Sequence, residues 1–211
     1  MLRVGLTGGI ACGKTTVAEM MAARGAHVIQ ADAVAHELMS PGQKVYDDVV
    51  QRFGESVLKP DKTIDREKLA DVAFGAGRVK ELNDIVHPVV VQRQTAWFAE
   101  QSRKDPTGIA VVEAALILEA GINELFDKLV VITCPRKQKI ERCAHRAAEA
   151  GGFSEIKARK EAERRIAAQM ADEEKVKAAD FVIDNSGSLK TIEEQVDNLM
   201  LELKKLADVP A

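Results

Sequence analysis

The chain opens on alternation: Leu2, Val4 and Leu6 are apolar, and Arg3, Gly5 and Thr7 separate them, the period-2 pattern of a short strand. Helical spacing then takes over from Thr15 to Met21, and Gly25 ends that helix. A second strand is expected over 26–31 and a helix from Ala33 to Met39, closed by Ser40-Pro41-Gly42. From Gln43 to Lys104 the apolar positions fall at helical spacing only. Val45, Val49, Val50 and Phe53 share a face, similar runs follow at 66–74 and 79–86, His87-Pro88 punctuates them, and a further helix is expected over 89–102. The apolar runs 109–113, 128–134 and 181–184 read as strands, the first apolar enough to be buried on both faces. Between the last two, 136–177 is charged and helical, with Glu155/Arg159 and Glu161/Arg165 at i,i+4. The final helix, 189–206, carries Ile192, Val196, Leu199, Leu203 and Leu206 on one stripe.

Strands alternating with helices predict an α/β fold with five parallel strands and right-handed crossovers. At 211 residues, 46% hydrophobic and 30% charged, the chain suits one α/β unit carrying an insertion. The net charge of −3 argues against nucleic-acid binding through bulk positive charge. No apolar run is long enough to span a bilayer, and the first residues do not read as a signal peptide. Cys12, Cys134 and Cys143 lack C-x-x-C spacing, so neither a zinc site nor a disulfide framework is expected. A reducing, cytoplasmic location is the expectation.

Candidate chemistry sharpens this at the first turn. Gly8-Gly9-Ile10-Ala11-Cys12-Gly13-Lys14-Thr15 matches G-x-x-x-x-G-K-[ST] between a strand and a helix, the context that a triphosphate-binding loop requires. Glycines let the backbone curl so that N–H groups point at phosphate oxygens, Lys14 can reach the β- and γ-phosphates, and the Thr15 hydroxyl can ligate Mg²⁺. Asp32, at the carboxyl end of the second strand, is either an N-cap or the group that takes a proton from a phosphoryl acceptor. His87 is either the residue in front of a helix-starting proline or a ligand group. Glu113 ends the third strand, where such enzymes hold Mg²⁺ directly or through water; otherwise it is a solvated strand end. Arg142, Arg146, Arg164 and Arg165 recur around Ala150-Gly151-Gly152-Phe153-Ser154, a plausible hinge for a lid whose fixed cations would match phosphoryl charge.

Several stretches together resemble the dephospho-coenzyme A kinases: Leu6-Thr7-Gly8-Gly9-Ile10 leading into the loop, Asp32-Ala33, His87-Pro88, Glu113 through Glu119, Arg164-Arg165-Ile166 with Gln169, and Ala179-Asp180-Phe181-Val182-Ile183-Asp184-Asn185. The resemblance runs from Leu6 to about Val196. It implies a three-layer P-loop kinase fold and ATP-dependent phosphorylation of the ribose 3′-hydroxyl of dephospho-coenzyme A. The domain would be single over 1–211, with a core of about 1–40, 105–145 and 178–211, a helical coenzyme-binding insertion of about 41–104 and a lid of about 146–177. It also implies roles. Asp32, Lys14 and Arg146 would be catalytic; Gly9, Ala11, Cys12, Gly13, Lys14, Thr15, Thr16 and Asn185 would bind ATP; Thr7, Asp32 and His87 would bind dephospho-coenzyme A; Thr15, and Glu113 through water, would hold Mg²⁺. ATP and dephospho-coenzyme A are the partners implied, without nucleic acid or membrane, for a monomer or weak homo-oligomer.

Three positions depart from the family's pattern. Glu113 stands where it has aspartate, Ala115 where it has proline, and Cys12 where serine is common. A thiol near a helix N-terminus is expected to be reactive without ATP and shielded with it. The alternatives are a nucleoside or nucleotide monophosphate kinase on the same fold, and a GTPase switch, for which no Asn-Lys-x-Asp motif is present.

Overall fold

The computed structural model describes residues 1–75, 77–149 and 155–208, with the side chains of Phe74 and Glu149 outside that description. Five strands, β1 (Leu2–Gly8), β2 (His27–Gln30), β3 (Ile109–Glu113), β4 (Lys128–Thr133) and β5 (Phe181–Asp184), form one parallel sheet in the order β2-β3-β1-β4-β5. Its register sets Leu6 opposite Glu113, Gly8 opposite Ile132 and Thr133 opposite Asp184. The carboxyl ends of these strands therefore share one edge. The first strand is central, so the loop that leaves it starts from the middle of that edge.

Alternation along the central strands decides the core. Val4, Leu6, Ile109, Val111, Val130 and Ile132 cluster with Val17, Ala18 and Met21 of α1 (Lys14–Ala23). The nine helices described are α1, α2 (Ala31–Leu38), α3 (Lys44–Phe53), α4 (Arg66–Gly75), α5 (Val79–Lys104), α6 (Arg136–Glu149), α7 (Glu155–Ala167), α8 (Asp172–Lys177) and α9 (Leu189–Ala207). Ile192, Val196, Leu199, Met200 and Leu203 of α9 join the same cluster. Leu206, expected on that stripe, is instead 38% exposed. A 3.6-residue period carried on from Leu203 lands on Ala207, and Ala207 is the residue packed against the core.

Two further boundaries differ from the pattern reading. α2 starts at Ala31 with Gln30 as its N-cap, so Asp32 lies inside the first turn and does not cap the helix. His87-Pro88 does not separate two helices, because α5 runs unbroken with Pro88 inside it. Proline removes one backbone bond and crowds the preceding turn, at a cost of about 3 kcal/mol. Val86, Val90 and Phe98 lie with Gln94 on a buried i,i+4 stripe that continues across the proline, and burial of the three apolar side chains offsets that cost.

The chain forms two compact units, Met1–Val28 with Gln101–Ala211, and Ile29–Glu100. The second takes in α2 with Asp32, and α3, α4 and most of α5. Within it Val45, Val49 and Phe53 of α3 are buried, and Arg78 lies 4.6 Å above the Phe53 ring while pairing with Glu81 at 2.9 Å.

Candidate active site

The loop after β1 keeps its shape because its carbonyls are held from outside. Lys14 Nζ donates to the carbonyls of Gly8 and Gly9, each at 3.1 Å, Arg142 Nη1 to that of Ala11 at 3.3 Å, and Asn185 Nδ2 to that of Cys12 at 2.6 Å. Gln169 Oε1 accepts from the Ile10 N–H at 2.8 Å. The first N–H groups of a helix have no partner within the helix itself, which makes an N-terminus such as that of α1 suited to anions. Two glycines are required here for different reasons. A side chain on Gly8 would run into the Ile132 carbonyl, whereas Gly13 has φ 87° and holds the Asn185 amide where a side chain would stand. Ala11 takes φ 57° without being glycine.

Thr15 and Glu113 come together. The Thr15 hydroxyl donates to Glu113 Oε1 at 3.0 Å, and Glu113, at the end of the fully buried β3, is itself only 9% exposed. The solvated strand end is therefore not the arrangement found. A hydroxyl and a buried carboxylate are hard oxygen donors of the kind Mg²⁺ takes. Among the described residues no group of three or more His, Cys, Asp or Glu could hold a metal ion alone, and Mg²⁺ in phosphoryl-transfer sites relies on one or two carboxylates plus phosphate oxygens. The donor set fits that ion. Thr7 is fully buried and donates its hydroxyl to the Ala115 carbonyl at 3.3 Å, tying β1 to the turn after Glu113.

In the second unit, Asp32 is exposed and lies within the electrostatic reach of His36 and Arg66. Burial and then Arg66 hold the His36 imidazole below its ordinary pKa, against the pull of Asp32. Burial likewise lowers Arg66, and Asp32 opposes it. Arg66 went unnoticed in the sequence because it opens a helix as one charge among many. His87 is half-buried, and burial lowers its pKa against the opposing charge of Asp84.

The four arginines singled out by spacing are used differently. Arg142 braces the loop and also donates to the Asn185 carbonyl at 3.3 Å. Arg164 and Arg165 both pair with Glu161, which brings the Glu161 carboxyl down to about 2. Arg146 is exposed and makes no hydrogen bond or ion pair with the described residues. The hinge expected at Gly151-Gly152 lies outside the described residues.

Periodicity missed a set of contacts in 169–175. Besides Gln169, Asp172 pairs with Lys139, whose ammonium lies against Gly9. Lys175, with no exposed surface, donates to Glu119 Oε1 at 2.6 Å and to the Ala115 carbonyl at 3.3 Å. These residues sit in a charged run that reads as solvated helix, and only packing distinguishes them from it. A cavity of about 650 Å³ opens there, its walls including Cys134, Lys139, Gln169 and Asp172.

Cys12 is buried in the loop with its sulfur 3.6 Å from that of Cys134, the residue after β4. The Cys134 thiol donates to it, and together with the Lys139 and Lys14 ammonium groups this brings Cys12 down to about 7, against burial and Asp172. Cys134 is pushed up, by giving that hydrogen bond and by burial.

Comparison with known proteins places these features in a family. The family model described as dephospho-CoA kinase matches residues 2–191. A dephospho-CoA kinase of Corynebacterium efficiens is 38% identical over 204 residues, covering 96% of this chain and 98% of that protein. Among solved structures, TT1252 from Thermus thermophilus superimposes with a TM-score of 0.74 at 28% identity, covering 96% of this chain and 97% of the other. A dephospho-CoA kinase from Campylobacter jejuni gives 0.64 at 27% identity, with the same coverage. With the family model spanning the strand edge, the phosphate loop and the Thr15–Glu113 pair, the chain belongs to the dephospho-coenzyme A kinase family.

Proposed function

We propose that this chain transfers the γ-phosphoryl group of ATP to the ribose 3′-hydroxyl of dephospho-coenzyme A, yielding coenzyme A and ADP in the final step of coenzyme A synthesis. The observation that carries the proposal is the Thr15–Glu113 contact at the mouth of the phosphate loop, in a chain of this family. Lys14 exchanges the Gly8 and Gly9 carbonyls for phosphate oxygens when ATP binds, since all three are acceptors for one ammonium. Gly9, Ala11, Cys12, Gly13, Thr15 and Thr16 contribute backbone to the triphosphate, and Asn185 supports them through its bond to Cys12. Thr15, and Glu113 through water, would hold Mg²⁺, which when bound neutralises charge on the transferring group.

Asp32 orients and deprotonates the acceptor hydroxyl, with Arg66 and His87 on the same unit as groups for the coenzyme. Arg146, uncommitted among the described residues, is the cation for the transferring phosphoryl group. Thr7 acts on the acceptor side indirectly, through the Ala115 turn that it holds. We assign 41–104 to the coenzyme and 146–177 to a lid, within a single catalytic domain. We place the enzyme in the cytoplasm as a monomer or weak homo-oligomer. Its family is metabolic, and among the described residues no helix is long and apolar enough to cross a membrane.

A coupled assay of ADP release tests the acceptor. Turnover with dephospho-coenzyme A and little with AMP, CMP or shikimate is expected. Turnover of a monophosphate with none of dephospho-coenzyme A would transfer the chain to the alternative reading, a nucleotide kinase.

A further inference from the structure

The geometry points to Cys12 and Cys134 as an oxidative modification site, at which a hydroperoxide closes a disulfide between the phosphate loop and the end of β4 and thereby weakens ATP binding. The two sulfurs are already in hydrogen-bond contact at 3.6 Å and both thiols are free. A disulfide requires about 2.05 Å between sulfurs, so the two must close by about 1.5 Å from their present contact. Cys12 itself has no exposed surface, but Cys134 forms part of the wall of the 650 Å³ cavity, so a water-sized oxidant meets the pair from that side. Lys139 and Lys14 supply positive charge on the Cys12 side, and Asp172 partly offsets it.

The chemistry follows from the direction of the hydrogen bond. Cys134 donates to Cys12 and so favours the Cys12 thiolate, whose Sγ attacks one peroxide oxygen. The O–O bond breaks, leaving Cys12 as the sulfenic acid, and the departing hydroxide takes the Cys134 proton and leaves as water. Cys134 Sγ then attacks Cys12 Sγ, the S–O bond breaks, and the second hydroxide leaves as water after gaining a proton from solvent. In total, two thiols and one hydroperoxide give one disulfide and two molecules of water when hydrogen peroxide is used. Each sulfur is oxidised by one electron, and the peroxide is reduced by two.

The consequence for ATP comes from where Cys12 sits. It lies between Ala11 at φ 57° and Gly13 at φ 87°, and its carbonyl is held by Asn185. Closing the bond to Cys134 pulls on this stretch of backbone, whose neighbouring N–H groups face the phosphates in the proposed site. Losing even one such charge-assisted hydrogen bond weakens binding by about tenfold. This consequence rests on the loop binding ATP, whereas formation of the bond does not.

The experiment is titration of the purified protein with hydrogen peroxide, read by mapping of cross-linked peptides and by ATP binding before and after dithiothreitol. A Cys12–Cys134 peptide, a loss of ATP affinity of about tenfold or more, and recovery of both with reductant are expected. Cys134→Ala is expected to bind ATP as before and to keep its affinity under peroxide, and Cys143→Ala to remain as sensitive as the parent. If Cys134→Ala folds poorly, peptide mapping of the unaltered protein still decides. Absence of the cross-linked peptide at peroxide levels that oxidise free cysteine overturns the proposal, as does a cross-linked protein that binds ATP unchanged. Failure to bind ATP before any oxidation instead refutes the nucleotide-site reading, and the peptide map then judges the disulfide alone.

Discussion

In the proposed reaction Asp32 and Lys14 bear on different steps, and substitution separates them. Asp32→Asn keeps the shape and removes the base, so kcat is expected to fall about 10²-fold while ATP affinity holds. A loss of only a few-fold would leave Asp32 a positioning group, since phosphoryl transfer is largely a matter of positioning and charge. Lys14→Ala would remove the proposed contact to the phosphates and is expected to weaken ATP binding; both are read from steady-state kinetics beside direct nucleotide binding. At this scale the motif made much of the site legible: the loop, Thr15 and Glu113 carry their chemistry in residue type and spacing. The partners of those residues were not legible. Nothing in local sequence says that Asn185 braces Cys12 across 173 positions, or that Gln169 holds Ile10 across 159.

At the scale of elements, α8 is a short helix with a decisive lysine. Lys175 has no exposed surface and its partner Glu119 keeps 21%, so Lys175→Met leaves a mostly buried carboxylate without its cation. A loss of about 3 kcal/mol is expected in urea unfolding, the low end for a broken buried pair because Glu119 keeps some water. Lys175→Met with Glu119→Leu is expected to recover most of that loss; no recovery would mean that the pair is not what holds α8 to the turn after β3. The last helix offers a second test. Leu203→Ala, in the core, is expected to cost about 2–5 kcal/mol, and Leu206→Ala, 38% exposed, less than about 1 kcal/mol. Equal losses would contradict the packing of Ala207 in the last turn. The strands were legible because their apolar runs are continuous, and 109–113 and 181–184 are found where they were read. The Pro88 break was misread because the rule for proline is local, while the buried stripe that continues through it runs from Val86 to Phe98.

Across the whole molecule, acid sensitivity follows from two histidines. Burial holds the half-buried His87 below the ordinary value of 6.5, and partial desolvation with the nearby Arg66 does so for the exposed His36, so in the folded state they resist protonation. The unfolded chain then binds more protons just below 6.5, and stability falls as the pH drops through that value toward the depressed folded ones. Chemical unfolding followed from pH 7.5 to 5.5 is expected to show this decline, and His36→Gln with His87→Gln to flatten it; an unchanged slope would assign the acid loss to other groups. By itself the sequence determined the fold class and the phosphate-loop motif that ends in Lys14 and Thr15, because each depends on a period or spacing of a few residues. Only the tertiary structure decided the strand order, the joining of Thr15 to Glu113, the burial of Lys175 and the contact of Cys12 with Cys134. Those depend on which distant segments share a sheet edge, and pairing free energy accumulates over a whole packed core and is not written in any one stretch. The loop's least predictable residue, Cys12, thus drew its chemistry from a partner 122 positions away.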